Sequence, residues 1–158
     1  MANKLGIKEA KQKAGRFCAF KERSPSELLE KIQTWGIAEE DASQLVAELL
    51  KEGFVDEQRF ANAFCNDKFE FNSWGKQKIK AHIYSHKLSE TAVQTALDRI
   101  DPEKYFSRLL ELAKTKWDRL EKDEDFKRKQ KTLAYLVSKG FESDLIWSAI
   151  NSLSKESQ

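Results

Sequence analysis

The chain has 158 residues, of which 34% are charged, 40% hydrophobic and only eight are glycine or proline (Gly 6, Pro 2). That balance excludes collagen-like, disulfide-scaffold and low-complexity classes and favours an all-helical protein with room for a sizeable core. The formal net charge of +2 comes from 28 basic and 26 acidic residues, so an anionic partner has to be met by a local patch rather than by the whole surface.

The first element expected is an amphipathic helix from about Lys8 to Glu22, with Ala10, Ala14, Phe17 and Cys18 on one face and residues 1–7 disordered. Ser24-Pro25-Ser26-Glu27 is a helix start: a capping serine, proline in the first turn and glutamate three residues after the cap. Leu28, Leu29, Ile32 and Trp35 form the buried face of that second helix, which Gly36 ends. A third helix, about Glu39 to Lys51, turns Ala42, Leu45, Val46, Leu49 and Leu50 inward and stops at Gly53.

A longer helix begins at Asp56 or Glu57 and carries Phe60, Phe64 and Phe69 to a turn at Asn72-Ser73. These rings, with Phe71 and Trp74, are expected to cluster. A helical run follows from Trp74-Gly75 to about Lys87, with Ile79, Ile83 and Tyr84 as its core face. Ser89 caps the sixth helix, Asp101-Pro102 repeats the cap-plus-proline signal for the seventh, and mixed charge from Asp118 to Asp125 reads as a solvated link. Helix eight, about Phe126 to Ser138, buries Leu133, Leu136 and Val137; helix nine, about Ser143 to Leu153, buries Ile146, Trp147, Ala149 and Ile150 before a polar tail at 154–158.

A repeat underlies these nine helices. With Ile37, Leu88 and Phe141 in one column, the residues five earlier are Ile32, Ile83 and Leu136, and those five later are Ala42, Val93 and Ile146. Nine later stand Val46, Leu97 and Ile150, and twelve later Leu49, Ile100 and Leu153. Apolar register kept across a loop, at spacings of 51 and 53 residues, predicts three tandem three-helix units over 8–55, 56–100 and 101–153 in an elongated, helix-turn-helix-like array. The residue before each anchor is Gly36, Lys87 and Gly140, so the middle copy departs from glycine at its helix end.

Charge is segregated between the copies. Residues 37–58 hold seven acids against Lys51, whereas residues 59–88 hold six cations against two acids, a balance of +4. Arg59, Lys68, Lys76, Lys78, Lys80 and Lys87, with a second run of Lys127, Arg128, Lys129 and Lys131, are candidates for a phosphate-facing or partner-facing surface. An ordinary solvated helix face is the competing reading. His82 and His86 lie four residues apart, but Cys18 and Cys65 lack the close spacing of a zinc site, so no metal or cofactor is expected. Two distant cysteines and the lack of any apolar run of membrane-spanning length point to a reduced, cytoplasmic compartment. No phosphate loop, nucleophile elbow or paired-carboxylate setting supplies catalytic residues.

Three short motifs stand in fixed order along the chain: Asp56-Glu57-Gln58-Arg59-Phe60-Ala61, then Lys68-Phe69 leading to Trp74-Gly75 and Lys78-Ile79, then Lys139-Gly140-Phe141. On these the chain, from about Ala14 to Leu153, resembles the RecX regulatory proteins, bacterial modulators of the RecA recombinase. The resemblance implies a non-enzymatic protein that binds the RecA filament on single-stranded DNA and restrains ATP hydrolysis, strand exchange and co-protease activity. Within it, Phe60, Phe64, Trp74, Gly75, Ile79, Gly140 and Phe141 are expected to be mainly structural. A DNA-binding module without strong sequence specificity is the alternative, since the lysine-rich run 76–87 lacks the Arg, Asn and Gln cluster that reads base edges. A structural adaptor is a third reading. With no heptad seam left over, a monomer is expected.

Overall fold

The computed structural model describes residues 5–156. Among them are nine α-helices: α1 (Ile7–Phe20), α2 (Pro25–Thr34), α3 (Glu39–Lys51), α4 (Glu57–Asn72), α5 (Lys76–Ile83), α6 (Glu90–Asp98), α7 (Pro102–Arg119), α8 (Asp125–Ser138) and α9 (Ser143–Glu156), with a 3-10 turn at Tyr84–His86. No strand occurs among the described residues. Residues 1–4, within the segment expected to be disordered, and residues 157–158 of the expected tail lie outside the described part of the chain.

Local chemistry accounts for the helix starts. The Ser24 hydroxyl accepts the Glu27 amide at 3.1 Å while the Glu27 carboxylate accepts the Ser24 amide at 3.2 Å, a closed capping box ahead of Pro25. Asp101 accepts the Lys104 amide at 3.1 Å, and Ser89 the Ala92 amide at 3.2 Å. The helix ends share a backbone conformation even where the residue changes. Gly36 and Gly140 have φ of +84° and +97°, and Lys87, in the same column of the repeat, adopts φ +56°. The turn geometry is therefore repeated three times, and the middle copy adopts it with a side chain that costs about 1 kcal/mol there.

Several expected boundaries and faces change. α1 stops at Phe20, because Arg23 Nε donates to the Phe17 carbonyl at 3.0 Å and the chain runs extended through Lys21 to the Ser24 cap. The run expected to Lys87 is α-helical only to Ile83 before tightening into the 3-10 turn, which leaves Tyr84 84% exposed rather than in the core. Leu50 and Val137, expected inward, are 42% and 49% exposed. Each follows a leucine, Leu49 or Leu136, that is fully buried, and adjacent residues on a helix point about 100° apart. Phe71 likewise leaves the aromatic cluster: it lies two residues beyond buried Phe69, on the other side of α4, and is 81% exposed. α9 continues to Glu156 because Leu153 and Ser154 are still buried.

The fold divides into two compact units. The N-terminal unit runs to Phe64 and takes in Ile83–Ala96; the C-terminal unit comprises Cys65–His82 and the chain from Leu97 on. In the first, α1, α2 and α3 pack together around Ala10, Ala14, Leu28, Ile32, Leu45 and Leu49. In the second, α7, α8 and α9 pack around Leu109, Ala113, Trp117, Leu136, Ile146 and Ile150. Burial of each large side chain here contributes about 2 kcal/mol before the entropy cost of folding. The helices α4–α6 are shared: the first half of α4, the 3-10 turn and most of α6 belong to the N-terminal unit, and the rest of α4 with nearly all of α5 to the C-terminal one.

Candidate functional site

The densest gathering of the sequence-derived candidates is in the C-terminal unit, where α4 turns into α5. Ser73 adopts φ +55°, and the amides of Ser73 and Trp74 fold back onto the carbonyls of Phe69 and Lys68 at 3.1 Å each. That turn returns the Trp74 indole to the end of α4. Lys68 Nζ stands 5.1 Å and Lys78 Nζ 4.7 Å from the ring centroid, and the His82 imidazole packs at 4.5 Å. Two ammonium groups over one half-buried indole form a cation–π cluster that fixes both lysines at the surface.

The start of α5 is held by backbone contact. Gly75 N donates to the Lys139 carbonyl at 2.7 Å and Gln77 N to the Gly140 carbonyl at 2.9 Å. A Cβ on Gly75 would overlap the Gly140 carbonyl, and one on Gly140 would stand 2.6 Å from the Lys78 amide nitrogen. Both glycines are therefore required by close approach, and Gly140 by its φ as well. Beneath them Tyr105 accepts the Lys76 amide at 2.8 Å and donates to the Glu142 carboxylate. Burial, then the hydrogen bond to Glu142, pushes the Tyr105 phenol far above its ordinary range. Arg108 closes the other side, with Nη1 donating to the Phe69 carbonyl at 2.9 Å and to Ser73 Oγ at 3.1 Å. Glu70 is held by Lys104 at 2.5 Å and Arg108 at 3.5 Å, which lowers its carboxyl below the usual value. Lys139 Nζ donates to the Asn72 carbonyl at 3.1 Å, and burial followed by the nearby Lys78 charge lowers its pKa.

The other candidates are dispersed. Arg59 belongs to the N-terminal unit, where Nε bridges both Glu22 oxygens at 2.7 and 2.8 Å and the guanidinium donates to the Gly53 and Phe54 carbonyls at 3.2 and 3.3 Å. Its charge clamps the α3–α4 link. Lys76 Nζ lies over the Tyr105 ring at 5.1 Å. Lys80 and Lys87 are both exposed, but Lys87 falls in the N-terminal unit. In the second basic run Arg128 stacks on Trp117 at 3.9 Å and donates to its carbonyl at 2.9 Å, while Lys129 pairs with Asp125 at 3.0 Å and Lys131 with Asp123 at 2.7 Å. Lys127 and Lys131 of that run are exposed to solvent, Lys131 with its charge paired to Asp123.

Among the residues of the family resemblance, Phe60, Gly75, Ile79, Gly140 and Phe141 are buried, and Phe64 and Trp74 half-buried. Phe60 and Phe64 hold the His86 ring at 4.6 and 5.6 Å, and His86 Nδ1 stands 2.8 Å from the Ser24 hydroxyl. The two histidines thus serve different aromatic nests. Cys18 and Cys65 are buried thiols, Cys65 pushed up to about 11 by burial. Among the described residues no group of three or more His, Cys, Asp or Glu is placed to hold a metal ion, and no helix is long and apolar enough to cross a membrane.

Lys139, Arg108, Tyr105 and Glu142 were not among the candidates. A tyrosine at a core position of α7 was the available signal, since a buried hydroxyl requires partners.

The fold defines a class first: an all-helical protein of tandem three-helix units. Models of RecX domains match it twice, the second three-helix domain over 56–97 and the third over 103–150, together more than half of the chain. The chain belongs to the RecX family of regulatory proteins. It is 27% identical to regulatory protein RecX of Clostridioides difficile over 92% of its own length and 68% of that protein's. For the RecX of Oceanobacillus iheyensis the figures are 26%, 82% and 48%, and for that of Clostridium perfringens 30%, 83% and 62%. The crystal structure of RecX from Lactobacillus salivarius superposes with a TM-score of 0.87 at 19% identity, covering 94% of this chain and 96% of that one, and so shares the fold.

Proposed function

We propose that the chain is a non-enzymatic regulator of homologous recombination and DNA repair, including the SOS response. It acts in the cytoplasm as a monomer, binding the RecA filament on single-stranded DNA and inhibiting its ATPase, strand-exchange and co-protease activities. The observation that carries this reading is the ordered pair of RecX domain matches over 56–97 and 103–150, together with the interlocked Trp74-Gly75 and Lys139-Gly140-Phe141 segments. Charge supports it: the acidic stretch 37–58 suits basic protein loops, and the exposed Lys80, Lys87 and Lys127 suit phosphate.

RecA-dependent ATP hydrolysis on single-stranded DNA, measured as the protein is titrated in, tests the proposal. Inhibition at protein concentrations well below that of RecA is the expected result. An unchanged rate up to equimolar protein overturns it. Because Lys76 and Lys78 also cover aromatic rings, charge reversal is better placed on Lys80, Lys87 and Lys127. The triple change to glutamate is expected to weaken inhibition at least severalfold while the circular-dichroism spectrum stays unchanged.

A further inference from the structure

We infer that the surface around Trp74, bounded by Lys68, Lys78, Lys139 and Phe71, is a binding site for single-stranded nucleic acid, the lysines seating a phosphodiester and Phe71 stacking on a base. The inference deepens the functional reading above, on which its choice of a nucleic-acid ligand rests.

Three features of the geometry carry it. First, cations converge here from three separate stretches of chain. Lys68 comes from α4 and Lys78 from α5, both over the Trp74 ring at 5.1 and 4.7 Å, and Lys139 from the α8–α9 turn, with Nζ 3.1 Å from the Asn72 carbonyl. The Lys78 side chain abuts Gly140, next to Lys139. Second, among the described residues no ion pair forms on Lys78 or Lys139. The Lys139 pKa is lowered by burial and by Lys78, and of the two acids on this part of α4, Asp67 and Glu70, the latter is engaged with Lys104 and Arg108. Elsewhere in this unit lysines such as Lys114, Lys129 and Lys131 each have an acid within 3.0 Å. Two like charges held together without a counterion favour an anion between them.

Third, the site has an aromatic face to offer. Phe71 is 81% exposed and precedes Asn72, whose carbonyl anchors Lys139. An exposed ring beside fixed ammonium groups is the combination that binds single strands, because unpaired bases present stacking faces that a duplex does not. At the start of α5 the amides of Gly75, Lys76 and Gln77 already donate to the Lys139 carbonyl, the Tyr105 hydroxyl and the Gly140 carbonyl. The anion would therefore be held by side chains, with Trp74 keeping two of them in place.

The test is fluorescence anisotropy of a labelled oligo-dT strand with the full chain across a salt series. Lys78→Gln with Lys139→Gln is expected to lower the slope of log K against log salt by about 1.4, roughly 0.7 for each phosphate no longer neutralised. Phe71→Ala, at an exposed position that leaves folding intact, is expected to weaken binding about fivefold with the slope unchanged. Lys114→Gln, a paired lysine elsewhere on α7, is expected to change neither. Wild-type affinity and slope in both the double lysine variant and the Phe71 variant would overturn the inference, as would an equal loss in Lys114→Gln. RecA ATPase, run in parallel, separates the two claims. A chain that inhibits RecA but does not bind oligo-dT overturns this site alone, and one that binds through these residues but leaves RecA unaffected overturns the functional reading alone.

Discussion

The helices α4–α6 dock differently in the two units that share them. In the N-terminal unit the contacts are made by side-chain tips: His86 Nδ1 2.8 Å from the Ser24 hydroxyl and Arg59 on Glu22. In the C-terminal unit, main chain meets main chain. Gly75 and Gly140 approach with no space for a Cβ, and the amides of Gly75 and Gln77 bond across the contact. Side-chain tips can be exchanged for others of similar reach, whereas a backbone contact accepts only glycine. This is why the recognisable Trp-Gly and Lys-Gly-Phe motifs lie in the C-terminal unit, and why it can hold a surface cluster such as that around Trp74 in a fixed geometry.

The sharpest way to break this comparison is Gly75→Ala. Its added methyl overlaps the Gly140 carbonyl, so a loss of about 3 kcal/mol is expected in denaturant unfolding followed by tryptophan fluorescence. Gly53 is the control in the N-terminal unit. It also has positive φ, +81°, but nothing lies within 4 Å of an added Cβ, so Gly53→Ala is expected to cost only about 1 kcal/mol. Tyr105→Phe comes next, because it strips the Lys76 amide and the Glu142 carboxylate of a common partner; about 2 kcal/mol is expected in the same assay.

Ser24→Ala removes both a helix cap and the hydroxyl beside His86, and about 1 kcal/mol is expected, with melting read by circular dichroism at the helix band. The smallest effect is a pH dependence. The ammonium of Lys104, and then Arg108, hold the Glu70 carboxyl below its ordinary value of 4.5, so between those two values the unfolded chain binds more protons than the folded one. The contribution is complete above pH 4.5 and is lost as pH falls through the lowered folded value. Glu70→Gln is accordingly expected to flatten the acid limb of a stability-against-pH curve while leaving neutral-pH stability little changed.

Much of the fold was legible in the residues. Ser24-Pro25, Ser89 and Asp101-Pro102 announce helix starts because capping chemistry is local, and the apolar columns at 51 and 53 residues carry the repeat because burial imposes register. The glycine column was understated: Lys87 breaks it in sequence but keeps the left-handed turn in structure. The candidate site was only partly legible. Counting cations over 59–88 could not separate Arg59, which clamps carbonyls, from Lys78, which faces solvent over an indole. Lys139, 61 residues beyond Lys78, reaches the same surface because Gly75 and Gly140 bring the two segments into contact. A window of sequence reports composition, and pairing across such distances is set by packing.

The most direct test of the account is whether the chain associates with RecA filaments themselves. In co-sedimentation with filaments assembled on single-stranded DNA and locked by a non-hydrolysable ATP analogue, the protein is predicted to pellet with the filament well above its recovery with RecA alone or with DNA alone. Protein left in the supernatant at filament excess would contradict the central claim.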